Sequence, residues 1–203
     1  MSKLASRSAL QGIALPGRYG ATDGEAGVMI AERANLGLAT VAARKGQDEQ
    51  LKARVREAYG IDVPSGPQVV HGKDVSFMGT GPEEWFAVSE SLGNEALAED
   101  LAAKLKGLAS VSDQSSGRAV VRVSGPRARD VLAKGLAVDL DPRVFPSGSA
   151  ATSTISHMGV VLWRGGDGED FDIALFRSVS ESFWRWLTAS AAEFGYEVAA
   201  SRL

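Results

Sequence analysis

Residues 111–162 read VSDQSSGRAVVRVSGPRARDVLAKGLAVDLDPRVFPSGSAATSTISHMGVVL. Within this stretch, residues 119–123 form a β-rich apolar run that only Arg122 interrupts, which predicts a buried strand. A Ser-Gly-Pro turn ends the run, and Pro126 suits the first position of a helix because its missing N–H is not needed there. Gly135 suits the left-handed position that follows the last turn of such a helix. The stretch therefore predicts a strand followed at once by a short helix.

Further strands and a final helix are predicted after this unit. Strand-like runs occupy residues 152–157 and 159–163, and a glycine-rich turn leads into another run at residues 171–176. Ser178 and Glu181 have the S-x-x-E spacing of a capping box, which predicts the start of the last helix. The half at residues 111–203 is therefore assigned a β-α-β-β-α order.

The preceding half, residues 35–110, shows the same order. Residues 36–43 indicate a strand, and Asp48 can cap a helix that Gly60 ends. Two strand-like runs follow, and then a helix that Asn94 can cap. Two such halves predict an α+β fold, in which two ferredoxin-like β-α-β-β-α units pack together.

Residues 1–34 are rich in glycine and small residues and show only weak periodicity. A flexible end and an N-terminal arm that orders against a partner are both compatible with this composition. Scattered apolar residues favour the arm, because a fully solvated tail would carry fewer of them. These residues are Leu10, Ile13, Leu15, Val28, Met29 and Ile30. We therefore expect an arm at 1–34 and two α+β halves at 35–110 and 111–203.

Composition narrows the functional classes. Of the 203 residues, 44% are hydrophobic and 23% are charged, which is ordinary for a globular protein. The chain has no cysteine, which excludes disulfides, thiol catalysis and cysteine-bound zinc and fits a reducing compartment. The net charge is −3, so the chain lacks the overall excess of basic residues expected of a nucleic-acid-binding protein. No apolar run approaches the roughly 20 residues that a membrane span needs, so we expect a cytoplasmic protein without a membrane partner.

Nucleotide-binding and metal-binding motifs are not found. Pro67 occupies the position at which a phosphate-binding loop ending in Gly72-Lys73 would need a glycine. Gly79-Thr80-Gly81 lacks the third glycine of a dinucleotide-binding fingerprint and is better explained as a turn. The two histidines, His71 and His157, lack the i, i+4 spacing of a helical metal pair, and no nucleophile or carboxylate is tied to either in sequence.

Two groups of acidic and polar residues favour structural roles. Asp167, Glu169, Asp170 and Asp172 could suggest a cation site, but their spacing does not fit an EF-hand loop and favours a solvated hairpin turn. Asp113 and Ser115 precede a predicted strand, and both side chains readily bond nearby backbone, so a turn-forming role is favoured over catalysis.

The order of several short motifs resembles the aminomethyltransferase-like family of folate-binding folds. The motifs are V-x-D-x-S, a strand, V-x-G-P-x-A, V-L-x-K-G, D-L, F-P-x-G and A-x-T within residues 111–152, together with G-x-G-P-x-E-W at residues 79–85. The resemblance spans roughly residues 35–200. Within this family, the chain resembles the small members, which are the gamma subunits of heterotetrameric sarcosine oxidases.

This resemblance implies an accessory subunit of an oxidoreductase complex. Such a complex oxidises sarcosine to glycine, passes the one-carbon unit to tetrahydrofolate and reduces oxygen to hydrogen peroxide. The implied partners are the alpha, beta and delta subunits, and the implied cofactors of the assembly are FAD, FMN, NAD and tetrahydrofolate. No catalytic, cofactor-binding or metal-binding residue is expected on this chain, which would brace the larger subunits.

One departure from the family pattern distinguishes an accessory subunit from a folate-binding enzyme. Folate-dependent members carry an acidic residue after the strand that follows the G-x-A-x-T segment, whereas residues 158–163 here are apolar. This departure favours a member that kept the fold and lost the site. A stand-alone folate-binding or aminomethyltransferase-like protein is the alternative, and a nucleic-acid-binding module is a third hypothesis that the acidic balance disfavours.

Some side chains could contact a partner. Trp184 lies beside the buried stripe of the last predicted helix, where rim packing and an interface anchor are about equally compatible with its position. We expect the anchor. Seven arginines could pair with acids of a partner, although a solvated surface explains most of them. They are Arg118, Arg122, Arg127, Arg129, Arg143, Arg164 and Arg177.

Overall fold

The structure, a computed structural model, describes residues 7–165 and 169–200. In this part of the chain, the strands are β1 (Gly17–Tyr19), β2 (Val28–Glu32), β3 (Gly37–Ala43), β4 (Val69–His71), β5 (Ser76–Gly81), β6 (Glu84–Ser89), β7 (Ala109–Asp113), β8 (Arg118–Ser124), β9 (Ala150–Ile155), β10 (Met158–Arg164), β11 (Phe171–Phe176) and β12 (Tyr196–Val198). The α-helices are α1 (Asp48–Tyr59), α2 (Glu95–Lys104), α3 (Ala128–Ala133) and α4 (Ser180–Ala191). Short 3₁₀ turns flank α4 at Arg177–Val179 and Ala192–Phe194. The architecture is mixed α+β, as predicted.

The first sheet has the strand order β4-β5-β6-β3-β7, and all of its neighbours are antiparallel. Helices α1 and α2 cover one face of it. Leu51 and Val55 of α1 and Leu101 of α2 are fully buried because their spacing puts them on the helix faces that meet the sheet. Gly60 ends α1, as predicted, and has the left-handed conformation that favours glycine.

The second sheet has the order β1-β12-β2-β8-β11-β10-β9. Its neighbours are antiparallel except for the parallel pair β12 and β2. Helices α3 and α4 cover one face of this sheet, where Phe171, Ile173 and Leu175 pack with Phe183 and Leu187. Alternate residues of β11 face this core because successive side chains of a strand point to opposite sides.

The remaining faces of the two sheets pack against each other. Phe86 and Met78 of the first sheet form one buried cluster with Val120, Trp163 and Ala174 of the second. The fold therefore has four layers in the order helix, sheet, sheet, helix. No described helix is long and apolar enough to cross a membrane.

Much of the expected N-terminal arm is built into the second sheet. Strand β2 pairs with β8 on one side and β12 on the other, and Val28 and Ile30 are fully buried. Leu10 is also buried, and its backbone N–H donates to Glu32. This part of the arm therefore orders on the chain itself. The predicted boundary between residues 110 and 111 falls within β7, which pairs with β3 of the first sheet.

Several local predictions about helix ends are wrong. The residue that caps α1 is Gln47 rather than Asp48, and α3 begins at Ala128 rather than at Pro126. Gly135 is not in a left-handed conformation; a Cβ there would lie 2.7 Å from the Trp186 ring, so the glycine serves a close approach between α3 and α4. Ser178 and Glu181 form no capping box, because a 3₁₀ turn occupies Arg177–Val179 and the Ser180 hydroxyl donates to the Arg177 carbonyl.

Trp184 belongs to the core and is not an exposed anchor. Its side chain is 8% exposed and joins the cluster of α3, α4 and the second sheet. We expected Trp184 to lie beside the buried stripe of α4, whereas the buried face of the helix includes it together with Phe183 and Leu187.

Candidate functional site

A cleft lies where the two sheets meet. Its cavity has a volume of about 340 Å³, and its lining includes His71 and Glu90 from the first sheet and Arg122, Trp163 and Asp172 from the second. A second, more open groove of about 560 Å³ shares Glu90 and Arg122 with this cleft. These shared charged residues make the junction the first candidate for a functional site.

A buried carboxylate holds the centre of this junction. Asp172 lies on β11 directly opposite Arg122 on β8, and its side chain is only 2% exposed. Arg122 Nε donates to Oδ1 at 2.8 Å and Arg122 Nη2 to Oδ2 at 2.7 Å. Arg33 Nη1 donates to the same Oδ2 at 2.7 Å. Two guanidinium groups therefore balance the negative charge of Asp172. Without them, burial of a charged carboxylate at this position would be strongly unfavourable.

Arg33 also connects the two sheets. It follows β2 in the second sheet, and its other terminal nitrogen pairs with Glu90, the residue that follows β6 in the first sheet. The Arg33 side chain is 16% exposed, whereas that of Glu90 is 76% exposed. The ion pair of Arg33 with Asp172 is the stronger of the two, because solvent screens the pair with Glu90.

The chemistry of this cluster is electrostatic. Both oxygens of Asp172 accept guanidinium donors, and the hydrogen bonds to Asp172 raise the pKa of Arg122. Guanidinium groups keep their protons in proteins. The cluster therefore supplies charge and a fixed geometry rather than a group that exchanges protons near neutral pH. Among the residues that the structure describes, no group of three or more acidic or histidine residues is arranged to hold a metal ion.

Arg118 differs from the other arginines near the junction. Its guanidinium lies 3.9 Å from the centroid of the Phe176 ring and 5.8 Å from that of Phe86. Its Nε atom is buried and has no hydrogen-bond partner within residues 7–165 and 169–200. Burial lowers the pKa of Arg118. A small pocket of about 60 Å³ adjoins it, with Arg177, Ser116 and Asn94 in its lining.

The two histidines lie in different places. His71 ends β4 at the cleft, and its Nδ1 lies 2.9 Å from the Ser76 hydroxyl. His157 lies in the two-residue turn between β9 and β10 and has a positive φ of 69°. The structure does not bring them together at the cleft, whose lining includes only His71 of the two.

Asp113 and Ser115 form a turn. The Ser115 N–H donates to Asp113 Oδ1 at 3.1 Å, and the Ser115 hydroxyl donates to the same oxygen at 2.7 Å. The Leu38 N–H donates to the Ser115 hydroxyl at 3.0 Å, which joins the turn to β3. These bonds agree with the turn-forming role predicted for the two residues.

The acidic residues at positions 167–172, after β10, do not all lie in one solvated turn. Glu169 pairs with Arg129, and Asp172 is buried as described above. Asp167 lies outside the described residues. The prediction of a solvated turn is therefore wrong for Asp172, because its position on β11 points it into the space between the sheets.

Most of the arginines flagged from the sequence have partners within the chain. Arg127 pairs with Asp130 and Arg143 with Asp141. Arg164 is 7% exposed and donates to the Phe145 carbonyl at 3.1 Å. Arg177 donates to the carbonyls of Arg7 and Ser8. Arg118 is the exception in the described chain, since its side chain forms no hydrogen bond or ion pair there.

Sequence reasoning missed the Arg33–Asp172–Arg122 cluster. One signal was available, because an arginine inside the apolar run of residues 119–123 needs a partner if the strand is buried. The identity of that partner was not available, since Arg33 and Asp172 are 139 positions apart and no local pattern relates them.

The sequence is similar to known proteins of one kind. Residues 44–193 match the model of the family described as "Sarcosine oxidase, gamma subunit family". The chain is 35% identical over 147 residues to the sarcosine oxidase subunit gamma of Corynebacterium sp. (strain P-1), with 71% of each protein covered. It is 33% identical over 178 residues to that of Corynebacterium sp. (strain U-96), with 84% of this chain and 82% of the relative covered.

The fold is similar to those of two solved structures. A chain of heterotetrameric sarcosine oxidase from Corynebacterium sp. U-96, in complex with pyrrole 2-carboxylate, superposes with a TM-score of 0.77 at 27% identity, covering 98% of this chain and 100% of that one. The glycine cleavage system aminomethyltransferase T from Bartonella henselae gives a TM-score of 0.65 at 14% identity, covering 86% of this chain and 48% of that one, a likeness of fold alone. The resemblance drawn from the motif order is confirmed.

Proposed function

Because the chain belongs to the sarcosine oxidase gamma subunit family, we propose that it is the gamma subunit of a heterotetrameric sarcosine oxidase and braces the larger subunits. The observation that carries this proposal is the likeness to a chain of the Corynebacterium heterotetramer, which covers both chains almost end to end. A small protein that matches one chain of such a complex over nearly its whole length is expected to keep the same place in the assembly.

The proposed reaction is that of the complete complex. It oxidises the N-methyl group of sarcosine, releases glycine, transfers the one-carbon unit to tetrahydrofolate and reduces oxygen to hydrogen peroxide. The proposed partners are the alpha, beta and delta subunits, with FAD, FMN, NAD and tetrahydrofolate bound in the assembly and none bound by this chain alone. The proposed compartment is the cytoplasm, which the absence of cysteine from the sequence supports.

The pairing of the Asp172 carboxylate at the junction of the two sheets supports a role in which this chain supplies no catalytic residue. Asp172 is the buried carboxylate of the cleft, and its two oxygens are occupied by Arg33 and Arg122. A general base or a pterin-binding acid needs an oxygen that is free to meet its ligand. We therefore assign Asp172 to bracing the two sheets.

We also propose that each sheet and its helices form a ferredoxin-like unit. The first unit has the order β3-α1-β5-β6-α2-β7 and the neighbours β5-β6-β3-β7. The second has the order β8-α3-β10-β11-α4-β12, with β2 from the predicted arm inserted between β12 and β8. The sequence-based division was an arm at 1–34 and halves at 35–110 and 111–203; we propose that the first unit extends to Asp113 at the end of β7 and that β2 of the arm belongs to the second unit.

Co-expression of the tagged chain with the alpha, beta and delta subunits tests the proposed function. The chain is expected to retain all three on purification, and omission of the chain is expected to lower the yield of assembled complex and its sarcosine-dependent production of hydrogen peroxide. Assembly and activity that are unchanged without the chain would refute the proposal.

Tetrahydrofolate binding distinguishes the accessory role from the alternative, a stand-alone folate-binding protein. The purified single chain is titrated with tetrahydrofolate beside the assembled complex. Binding by the complex alone agrees with the accessory role. Stoichiometric binding by the single chain would instead favour a folate-binding protein in its own right.

A further inference from the structure

Arg118 carries a charge that the chain leaves unmatched. Its guanidinium is stacked on Phe176 and makes no hydrogen bond within the described residues. A guanidinium stays charged in a protein, so a partly buried one without an acceptor is destabilising until an anion reaches it. Burial lowers its pKa, as expected for a cation that no carboxylate compensates.

The surroundings of Arg118 are strongly basic. The adjoining pocket is lined by four arginines, Arg7, Arg33, Arg118 and Arg177, and by one carboxylate, Glu32. Glu32 is buried and already accepts the Ser8 hydroxyl and the Leu10 N–H. Arg33 is balanced by Asp172 and Glu90. The other three arginines still exceed the single acid of the pocket lining, whose oxygens already accept hydrogen bonds.

The size and geometry of the pocket select the anion. The cavity has a volume of about 60 Å³ and is the smallest of the three that adjoin the junction of the sheets. A carboxylate is a smaller anion than a phosphate, since it has two oxygens rather than four. The Phe176 ring, whose centroid lies 3.9 Å from the guanidinium carbon, helps to hold the Arg118 side chain in place. The donors of a guanidinium lie in one plane and suit two-point contact with a carboxylate.

We propose that Arg118, with Arg177 beside it, binds a single carboxylate group in this pocket. The carboxylate comes either from a small molecule or from an acidic side chain of a partner subunit. Ser115, Ser116 and Asn94 lie in the same lining and supply further polar groups around the anion. Only the partner-subunit source rests on the proposed function, because the pocket itself lies within this chain.

Thermal unfolding of the full chain with sodium formate tests the site. Sodium chloride at the same ionic strength is the reference. A ligand that binds only the folded state raises the melting temperature in proportion to the logarithm of its concentration once it exceeds its dissociation constant. We expect this rise for the wild-type chain and not for Arg118→Gln. Phosphate should have a smaller effect, and a larger effect of phosphate would overturn the choice of a carboxylate.

A matched substitution controls for the loss of an arginine in general. Arg54 on α1 is 51% exposed and pairs with Glu57 at 3.2 Å, away from the pocket lining. Arg54→Gln should keep the full formate response. Equal responses of the wild-type chain, Arg118→Gln and Arg54→Gln would refute the proposal, because the effect would then be a general one of the salt.

A second variant decides the matter if Arg118→Gln does not fold. Ser116 is an exposed turn residue in the pocket lining, and Ser116→Glu supplies a carboxylate from the chain itself. We expect this variant to melt at a higher temperature than the wild-type chain without formate and to lose the response to formate. A wild-type response in Ser116→Glu would overturn the proposal.

The assembled complex distinguishes the two sources of the carboxylate. If a partner subunit fills the pocket, formate should not stabilise this chain in the complex, and Arg118→Gln should weaken retention of the partners. If the occupant is a small molecule, the formate response should persist in the complex and retention should be unchanged. The formate response of the isolated chain tests the carboxylate site, and assembly with the partners tests the proposed function. If assembly fails but the isolated chain responds to formate, the carboxylate site is supported and only the proposed function is refuted.

Discussion

Asp172 is the residue on which the packing of the two sheets depends most directly. Removing its carboxylate leaves Arg33 and Arg122 facing each other in a largely buried space. Breaking a buried ion pair from one side costs about 3–5 kcal/mol. Since Arg122 is 36% exposed, Asp172→Ala is expected near the lower end, at about 3 kcal/mol of unfolding free energy in a denaturant titration.

A surface pair provides the control for this substitution. Glu57 is 76% exposed and pairs with Arg54 on the outer side of α1. Glu57→Ala is expected to cost about 0.5 kcal/mol or less, because exposed helical pairs contribute little. Similar losses for Asp172→Ala and Glu57→Ala would contradict the bracing role of Asp172.

At the scale of elements, Gly135 sets how closely α3 approaches α4. Its missing side chain leaves room for the Trp186 ring, and a Cβ would lie 2.7 Å from that ring. Gly135→Ala is therefore expected to destabilise the fold by about 1–3 kcal/mol, the usual cost of overpacking, as measured by chemical unfolding.

Gly159 on β10 is the matched glycine. Neither Gly135 nor Gly159 has a left-handed φ, and a Cβ at Gly159 meets nothing within 4 Å. Gly159→Ala should leave stability unchanged or raise it by up to about 1 kcal/mol, since alanine restricts the unfolded chain. If both glycine substitutions cost the same, the close approach to Trp186 is not the reason for Gly135.

Strand β2 gives a prediction about order in the isolated chain. Because β2 is paired on both sides, the amides of residues 28–32 are expected to exchange with solvent slowly in the chain alone. Residues 17–19, in the exposed edge strand β1, should exchange faster and serve as the internal reference. Hydrogen exchange measures both, and rapid exchange of β2 that slows only in the complex would favour the partner-dependent arm.

The elements differ in how well the sequence predicts them. Strand β8 was predictable because residues 119–123 are apolar and β-branched and end at a Ser-Gly-Pro turn. Strand β2 was not, since its five residues lie among glycines and its neighbours β8 and β12 are distant in sequence. The candidate site was the least predictable part, because Arg33, Arg122 and Asp172 meet only through strand pairing and sheet packing.

At the scale of the whole molecule, the purified single chain is expected to carry no flavin, NAD or metal. The sequence lacks a phosphate-binding loop, a dinucleotide fingerprint and paired metal ligands. The visible absorbance spectrum and a metal analysis of the single chain provide the measurement, with the assembled complex as the sample expected to show flavin colour. Stoichiometric flavin on the single chain would contradict this prediction.

The insertion of β2 beside β12 has a consequence for biosynthesis. The first sheet uses only residues 69–71, 76–81, 84–89, 37–43 and 109–113, so all of its strands are translated before β8. Strand β2 is translated earlier still, yet its neighbours β8 and β12 come later, and β12 comes last. The nascent chain must therefore keep the apolar strand β2 from aggregating until β8 is available on one side and β12 on the other. A message truncated before the codons for residues 196–198 would yield a chain whose first sheet is whole and whose second has an open edge at β2.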